Sequence, residues 1–378
     1  MVVAIDASRL EPHQKTGVEY YSYYLIQHLK KVIPPGEKVI LYSRIPVAGI
    51  LEGLPVNWQN KVLAWPLKYF WSQLRLVLEV RKDKPDILFI PSHILPFLYR
   101  GKTVVTIHDI SWLKSPASYS WHSRSYLRLA TGWIARHATA IITISQYCKI
   151  ELERHYSDLS NKIFVTYLGP TIKPQQAPGG TKNYFICLGR VENKKNLLVI
   201  LEAFARLLIN NPSEETKLLL IGPTGVGSDK IIRRLGKSDL NGKVIRLPWQ
   251  SEQKVSEYLG RCIALLFPGK YEGFGLPVLD AWAHQLPVVA AASGALLEVV
   301  GEAGILVNGD DADSWRQAMQ KLLADVNLQK HLVTLGNKRL LLFSWQATAV
   351  ATWQVLKLIM SSPSDRLRVP TGSLLPDD

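Results

Sequence analysis

Most of the signals that would assign this chain at a glance are missing from it. Its 378 residues include only three cysteines, Cys148, Cys187 and Cys262, far apart and with no CxxC pairing. That excludes a disulfide framework and a cysteine-based metal site, and it reads as three small core residues in a reducing, cytoplasmic compartment. The first residues, MVVAIDASRL, bring in a charge at Asp6 and lack the apolar segment of a signal peptide. Among the long uncharged runs, residues 340 to 356 contain Ser344, Gln346, Thr348, Thr352 and Gln354, which makes the run too polar and too short to span a bilayer. The loop GPTGVGS, residues 222 to 228, has the glycines of a phosphate loop but places Ser228 where such a loop needs lysine. That argues against a nucleoside triphosphatase. No GxGxxG turn follows a strand pattern with an acid about 20 residues further on, so a dinucleotide oxidoreductase is disfavoured. No His, Cys, Asp and Glu cluster has metal-ligand spacing, and no metal is expected.

What is present is an ordinary folded composition, 47% hydrophobic and 20% charged, with length enough for two domains. The net charge is +14, an excess that suits an anionic partner without choosing one. Residues 1 to 172 hold 21 Lys and Arg against 12 Asp and Glu, and residues 173 to 378 hold 24 against 19.

Short apolar or β-branched runs at 2–5, 39–42, 86–90, 103–107, 140–144 and 163–167 read as strands buried on both faces of a parallel sheet. Helical patterns separate several of them, including 20–29 after Gly17 and 146–155 after an N-cap at Ser145. Residues 61 to 84 are the most basic and aromatic stretch. Read as a helix, they put Phe70, Leu74, Val77 and Leu78 on one stripe and Lys68, Trp71, Arg75 and Lys82 on another. Such a helix suits either an ordinary solvated face or contact with an anionic bilayer. His108-Asp109 follows the 103–107 strand directly, where α/β sheets place ligands. Residues 169 to 182 carry three prolines and three glycines and read as a linker. Beyond it the strand pattern resumes at 184–188, 217–221, 243–247 and 264–267, with a helical stripe of Leu197, Ile200, Leu201, Phe204, Leu207 and Leu208. Two doubly wound α/β domains facing a cleft are the expected architecture.

Two stretches of the second half carry chemistry. In YEGFGLPVLDAWAHQLPVV, residues 271 to 289, Glu272 and Asp280 bracket a Gly273-Phe274-Gly275 loop. Pro277 suits the start of a helix, whose N–H groups and dipole face that loop. A tight turn with two exposed acids would look the same. In GRVENKKN, residues 189 to 196, Arg190 and Lys195 fall between a buried strand and an amphipathic helix, where two cations can converge on a diphosphate.

Together these two stretches resemble the donor site of the retaining glycosyltransferases of family 4 (group 1), of mannosyltransferase-like type. The similarity extends to KTGVEYYSYYLIQHL, TIHDISWLKSPASY, ITISQYCKIELERHY and SGALLEVVGEAGILVNGDDADSWRQAM. The resemblance implies a GT-B fold, with an N-terminal acceptor domain over 1–172 and a C-terminal nucleotide-sugar domain over 173–345. It further implies a helix over 346–360 returning to the first domain; residues 361–378 read as a disordered tail. It implies that Arg190 and Lys195 neutralise the leaving diphosphate and that Glu272 lies at the donor sugar. Backbone groups of Gly273, Phe274, Gly275 and Leu276 would bind sugar or phosphate, Gly17 would approach the diphosphate, and His108 would lie near the sugar on the acceptor side. Asp280 stands where the family usually has the glutamate that holds the ribose, with the same charge and one methylene less reach.

The implied partners are a nucleotide-diphosphate sugar, with a GDP-mannose-like donor as the guess, and a saccharide or polyprenyl-linked acceptor. Nucleic acid is not among them, no cofactor or metal is called for, and peripheral contact with an anionic membrane is left open. Two other readings stand beside this one: a glycoside hydrolase using Glu272 and Asp280 as acid and base, and a sugar-nucleotide-binding or scaffold protein without catalysis.

Overall fold

The computed structural model describes residues 1–10, 15–67, 70–156, 159, 161–175, 183–210, 215–240 and 242–362. The chain divides into two compact units. One comprises Met1–Ile110, Trp121–Leu168 and the chain from Trp345 onward; the other comprises Ser111–Ser120 and Gly169–Ser344.

The first unit is built on seven parallel strands: β1 (Val2–Asp6), β2 (Lys38–Ser43), β3 (Trp58–Val62), β4 (Ile87–Ile90), β5 (Thr103–Ile107), β6 (Ala140–Thr143) and β7 (Ile163–Val165). Their spatial order is β3-β2-β1-β4-β5-β6-β7. Every residue of β4, β5 and β6 is buried, which is why these strands read as continuous apolar runs. The Trp345–Ser361 helix packs in this unit. Trp345 stacks on Tyr24 at 5.3 Å between ring centroids, Thr348 Oγ1 donates to the Tyr167 carbonyl, and Lys102 Nζ donates to the Met360 carbonyl at 2.9 Å.

The second unit has six parallel strands: β8 (Tyr184–Leu188), β9 (Lys217–Ile221), β10 (Val244–Leu247), β11 (Cys262–Phe267), β12 (Val288–Ala291) and β13 (Ile305–Val307). They lie in the order β10-β9-β8-β11-β12-β13. The Leu197–Asn210 helix buries Leu197, Ile200, Leu201, Phe204 and Leu207; at roughly 1.5–3 kcal/mol for each large side chain, that stripe holds the helix to the sheet. In both sheets the winding reverses beside the first strand, at β1/β4 and at β8/β11, and the carboxyl ends of those pairs are where an open α/β sheet presents a ligand site.

Two strands escape the sequence pattern. β3 carries the polar Gln59, Asn60 and Lys61 because it is the edge of its sheet, and β13 has only three residues. The 61–84 stretch is corrected as well. It begins inside β3, and its helical part is a π-helical turn, Trp71–Leu76, running into an α-helix, Val77–Asp83. Trp71 is not on an outward stripe: it is buried, and its indole N–H donates to the Leu63 carbonyl at 2.9 Å. Phe70, Leu74 and Leu78 face outward instead. Lys68, the 176–182 part of the linker and the tail from 363 lie outside the described residues. No helix among the described residues is long and apolar enough to cross a membrane.

Candidate functional site

At the switch point of the second sheet, β8 ends at Leu188 and the chain continues as Gly189-Arg190; β11 ends at Phe267 and continues through Pro268 and Gly269 to Glu272. A cleft there is lined by Leu188, Gly189, Arg190, Lys195, Phe267 and Gly269, among others. The structure thus brings Arg190, Lys195 and Glu272 to one place.

The loop carrying Arg190 is shaped by the 222–228 stretch that resembles a phosphate loop. Gly189 N donates to the Ile221 carbonyl, Val191 N to Pro223, and Asn193 N to Val226, while Gly225 N donates back to Val191, all at 2.8–3.0 Å. Gly222 has φ +151°, and a Cβ there would sit 2.0 Å from the Gly189 carbonyl oxygen; only glycine allows the two loops to lie so close. The glycines of 222–228 therefore position Arg190 through packing. A sequence reading that asks only whether they hold phosphate misses them.

Lys195 closes a short 3-10 turn, Asn193–Lys195. Its ammonium lies 2.7 Å from Glu272 Oε1 and 5.3 Å from the centre of the Phe267 ring. Both partners are largely buried, so their attraction is less screened than that of a surface pair. Arg190 is about half exposed, with Nε 4.0 Å from Glu192. The Glu272 loop is braced from behind. Ser293 Oγ donates to the Gly269 carbonyl at 3.0 Å, and Ala295 N donates to the Glu272 carbonyl at 3.2 Å.

Gly275, in the left-handed region at φ +112°, caps the Leu276–Ala283 helix, which starts at Leu276 with Pro277 in its second position. Gly273 is buried. Phe274 is also buried, edge-on to Phe343 at 5.7 Å, so its ring is a core element and only its backbone can serve a ligand.

Asp280 lies in a different environment from Glu272. It is 3% exposed, and both carboxylate oxygens are occupied. Oδ1 accepts from Thr171 N at 2.6 Å and Ile172 N at 2.9 Å, and Oδ2 accepts from Thr171 Oγ1 at 2.9 Å. Burial pushes its carboxyl up to about 6, against the opposing pull of those donors. One turn on, His284 Nδ1 meets the Asp280 carbonyl at 2.6 Å and Nε2 meets Ser256 Oγ at 2.8 Å; Ser256 Oγ also donates to the Lys173 carbonyl and accepts from Gln175 N. Asp280 therefore anchors the chain at 171–172 through three donors. Glu272 and Asp280 serve separate partners, Lys195 and the backbone at 171–172, which argues against their pairing as the acid and base of a hydrolase.

In the first unit, Gly17 is not a loop residue. It opens the Gly17–Val32 helix, behind a capping box in which Thr16 and Glu19 exchange hydrogen bonds. A Cβ on Gly17 would meet nothing within 4 Å, so the fold itself does not demand glycine there. His108 follows β5; its Nε2 meets the Pro91 carbonyl at 3.2 Å, and Tyr21 lies edge-on at 4.6 Å. Burial lowers its pKa. Beside it, at the end of β4, His93 Nε2 meets Thr131 Oγ1 at 2.8 Å, and burial takes its pKa down to about 4. At the end of β1, Asp6 is buried with its pKa raised by desolvation, and its Oδ2 has no hydrogen-bond partner among the described residues. Sequence reading missed Asp6 and His93; their common signal is a place at the end of a switch-point strand.

Residues 15–170 match the sequence model of Glycosyltransferase Family 4, and residues 170–339 match that of Glycosyl transferases group 1. The O-antigen chain mannosyltransferase B of Escherichia coli is 24% identical over 294 residues, covering 74% of this chain and 76% of that one. The MMP alpha-(1->4)-mannosyltransferase of Mycolicibacterium hassiacum is 29% identical over 257 residues, covering 66% and 60%. Among solved structures, sucrose-phosphate synthase from Thermosynechococcus elongatus superposes with a TM-score of 0.77 at 20% identity, over 95% of this chain and 99% of that one.

Proposed function

Because the chain belongs to the family 4, group 1 glycosyltransferases and has their GT-B fold, we propose that it moves a hexose, mannose by preference, from a nucleotide-diphosphate sugar to a saccharide or polyprenyl-linked acceptor. The observation that carries this reading is the convergence of Arg190 and the Lys195–Glu272 pair at the switch point of the second sheet. Breaking the bond between the sugar's anomeric carbon and the diphosphate leaves an electron pair on the departing phosphate oxygen. Arg190 and Lys195 supply positive charge where that negative charge develops, the kind of stabilisation that lowers such barriers most. A diphosphate at this place competes with Glu272 for the Lys195 ammonium and frees the carboxylate for the sugar's hydroxyls.

The acceptor oxygen bonds to the anomeric carbon on the face the diphosphate leaves, and its proton passes to the departing phosphate, so configuration is retained. Gly17 leaves room for the diphosphate, and His108, kept neutral by burial, offers a hydrogen bond to the sugar. No cofactor or metal takes part. The chain works in the cytoplasm, at the inner face of an anionic membrane when its acceptor is lipid-linked.

The test is a panel of GDP and UDP sugars with mannoside and polyprenyl-phosphate acceptors. Nucleoside diphosphate should be released only when donor and acceptor are both present, with the donor's anomeric configuration in the product and equal rates in EDTA. One other reading, a sugar-nucleotide binder without catalysis, has as its support the aspartate at 280 where the family usually has glutamate. Tight donor binding with no turnover across the panel would decide for it.

A further inference from the structure

At the switch point of the first unit, two side chains hold lone pairs that no donor serves. β1 pairs with β4 so that Ile5 lies beside Phe89, and β4 pairs with β5 so that Ile90 lies beside Val105. Followed past the strand ends, that register puts Asp6, His93 and His108 at the same carboxyl edge of the sheet. They lie within electrostatic reach of one another: Asp109 and His108 act on His93, and Arg9 acts on both Asp6 and His108.

The state of His93 follows from its neighbour. Thr131 Oγ1 donates its one proton to the Leu127 carbonyl at 2.6 Å, so toward His93 Nε2, 2.8 Å away, it accepts. The proton of the neutral ring is therefore on Nε2, and Nδ1 carries a lone pair. A pKa of about 4 keeps the ring neutral at physiological pH. His93 makes no other hydrogen bond among the described residues, and it is partly exposed. Asp6 Oδ1 accepts from Ser8 N at 2.9 Å, whereas Oδ2 is buried and accepts nothing among the described residues. Arg9 lies 3.6 Å from Glu19 instead. A buried polar atom without its hydrogen bond costs free energy that an arriving donor returns.

We propose that His93 Nδ1 and, through an ordered water, Asp6 Oδ2 receive hydrogen bonds from the acceptor, so that the chain adds its sugar to a saccharide hydroxyl and rejects a bare lipid phosphate. A hydroxyl brings the donors that both atoms lack, and one water bridges to a covered oxygen at little cost. A phosphate dianion brings only acceptor oxygens, and it brings negative charge beside a carboxylate. A site built for donors turns such a group away. His93 is too weak a base to keep the hydroxyl's proton; it orients the oxygen while the proton passes to the departing phosphate. The first sugar on a carrier phosphate is then the product of an earlier transfer. The inference rests on the transferase reading, but binding tests it without turnover.

The full chain, with GDP or UDP present, is titrated with methyl α-mannoside, methyl α-glucoside and geranyl phosphate, and binding is read by saturation-transfer NMR. A methyl hexoside should bind roughly tenfold or more tightly than geranyl phosphate. His93→Gln keeps a reach to Thr131 but has no acceptor at the place of Nδ1, and it should weaken hexoside binding roughly tenfold. His93→Asn puts an amide oxygen at that place and should keep most of the binding. In Asp6→Asn, Ser8 N holds the amide oxygen at the Oδ1 position, so an NH2 replaces Oδ2; the preference over geranyl phosphate should narrow. A structural role alone would rank Gln above Asn at 93, because Gln reaches Thr131. That ranking, no hexoside binding in the wild type, or a preference for geranyl phosphate overturns the proposal. Hexoside binding in the expected order with no nucleoside diphosphate released upholds the site and overturns the transferase reading instead.

Discussion

The two switch points lie at equivalent places in two sheets of like topology, yet they treat charge in opposite ways. In the second unit, Arg190, Lys195 and Glu272 sit on glycine-bearing loops at the mouth of the sheet, with the cation and the acid compensating each other at 2.7 Å. In the first unit, Asp6, His93 and His108 are pushed by burial toward their neutral forms. A site that stabilises a leaving diphosphate needs fixed charge, whereas one that orients a sugar or an acceptor hydroxyl needs neutral donors and acceptors without a large desolvation cost. The same topology is thus divided into a charged end and a neutral one.

The contrast can be broken most strongly at the charged end. Arg190→Ala should lower turnover about 10²–10³-fold in a nucleoside diphosphate release assay, with little change in melting temperature because the side chain is half exposed. Lys195→Ala should cost as much in rate and also destabilise the fold, since it leaves Glu272 largely buried without its cation. Full activity in either variant would dismantle the charged-end assignment.

A smaller effect separates Asp280 from Glu272. Asp280→Ala should cost about 3 kcal/mol of stability by urea denaturation, because it strands the Thr171 and Ile172 donors. Its effect on donor KM should be slight compared with that of Glu272→Ala. A large rise in KM at unchanged stability would return Asp280 to the ribose.

The smallest effect is in pH. His93 has a lowered folded pKa, so its contribution is fully present above about 6.5, the unfolded value, and is lost as pH falls toward about 4. Asp280 has the opposite sign: its contribution is present below 3.8 and is lost as pH rises through about 6. His93→Gln should flatten the acid limb of the stability profile and Asp280→Asn the limb from pH 4 to 6. A profile unchanged in both variants would mean that neither group carries the shift assigned to it.

Much of this was legible in the residues. The buried strands announce themselves because a parallel sheet covered on both faces has no polar side to encode, and the Leu197–Leu207 stripe because a helix on a sheet buries one face. Arg190, Lys195 and Glu272 could be read because each stands just beyond a buried strand. Edge strand β3 could not, since half-exposed polar residues look like a loop. Trp71 was misread because periodicity gives a helix two stripes without saying which one faces in; the answer came from the Leu63 carbonyl, eight residues away, which accepts its N–H.

The sequence by itself determined the fold class, the family and the charged end, because these rest on local order: strand, glycine turn, cation, helix. Tertiary structure alone decided where the partners lie. It made the 222–228 glycines, which lack the lysine of a phosphate loop, the support of Arg190, and it paired Lys195 with Glu272 across 77 positions. It also carried Asp280 to Thr171 across 109, a bond that depends on the length of one side chain and the path of a distant backbone, neither of which a one-dimensional pattern contains.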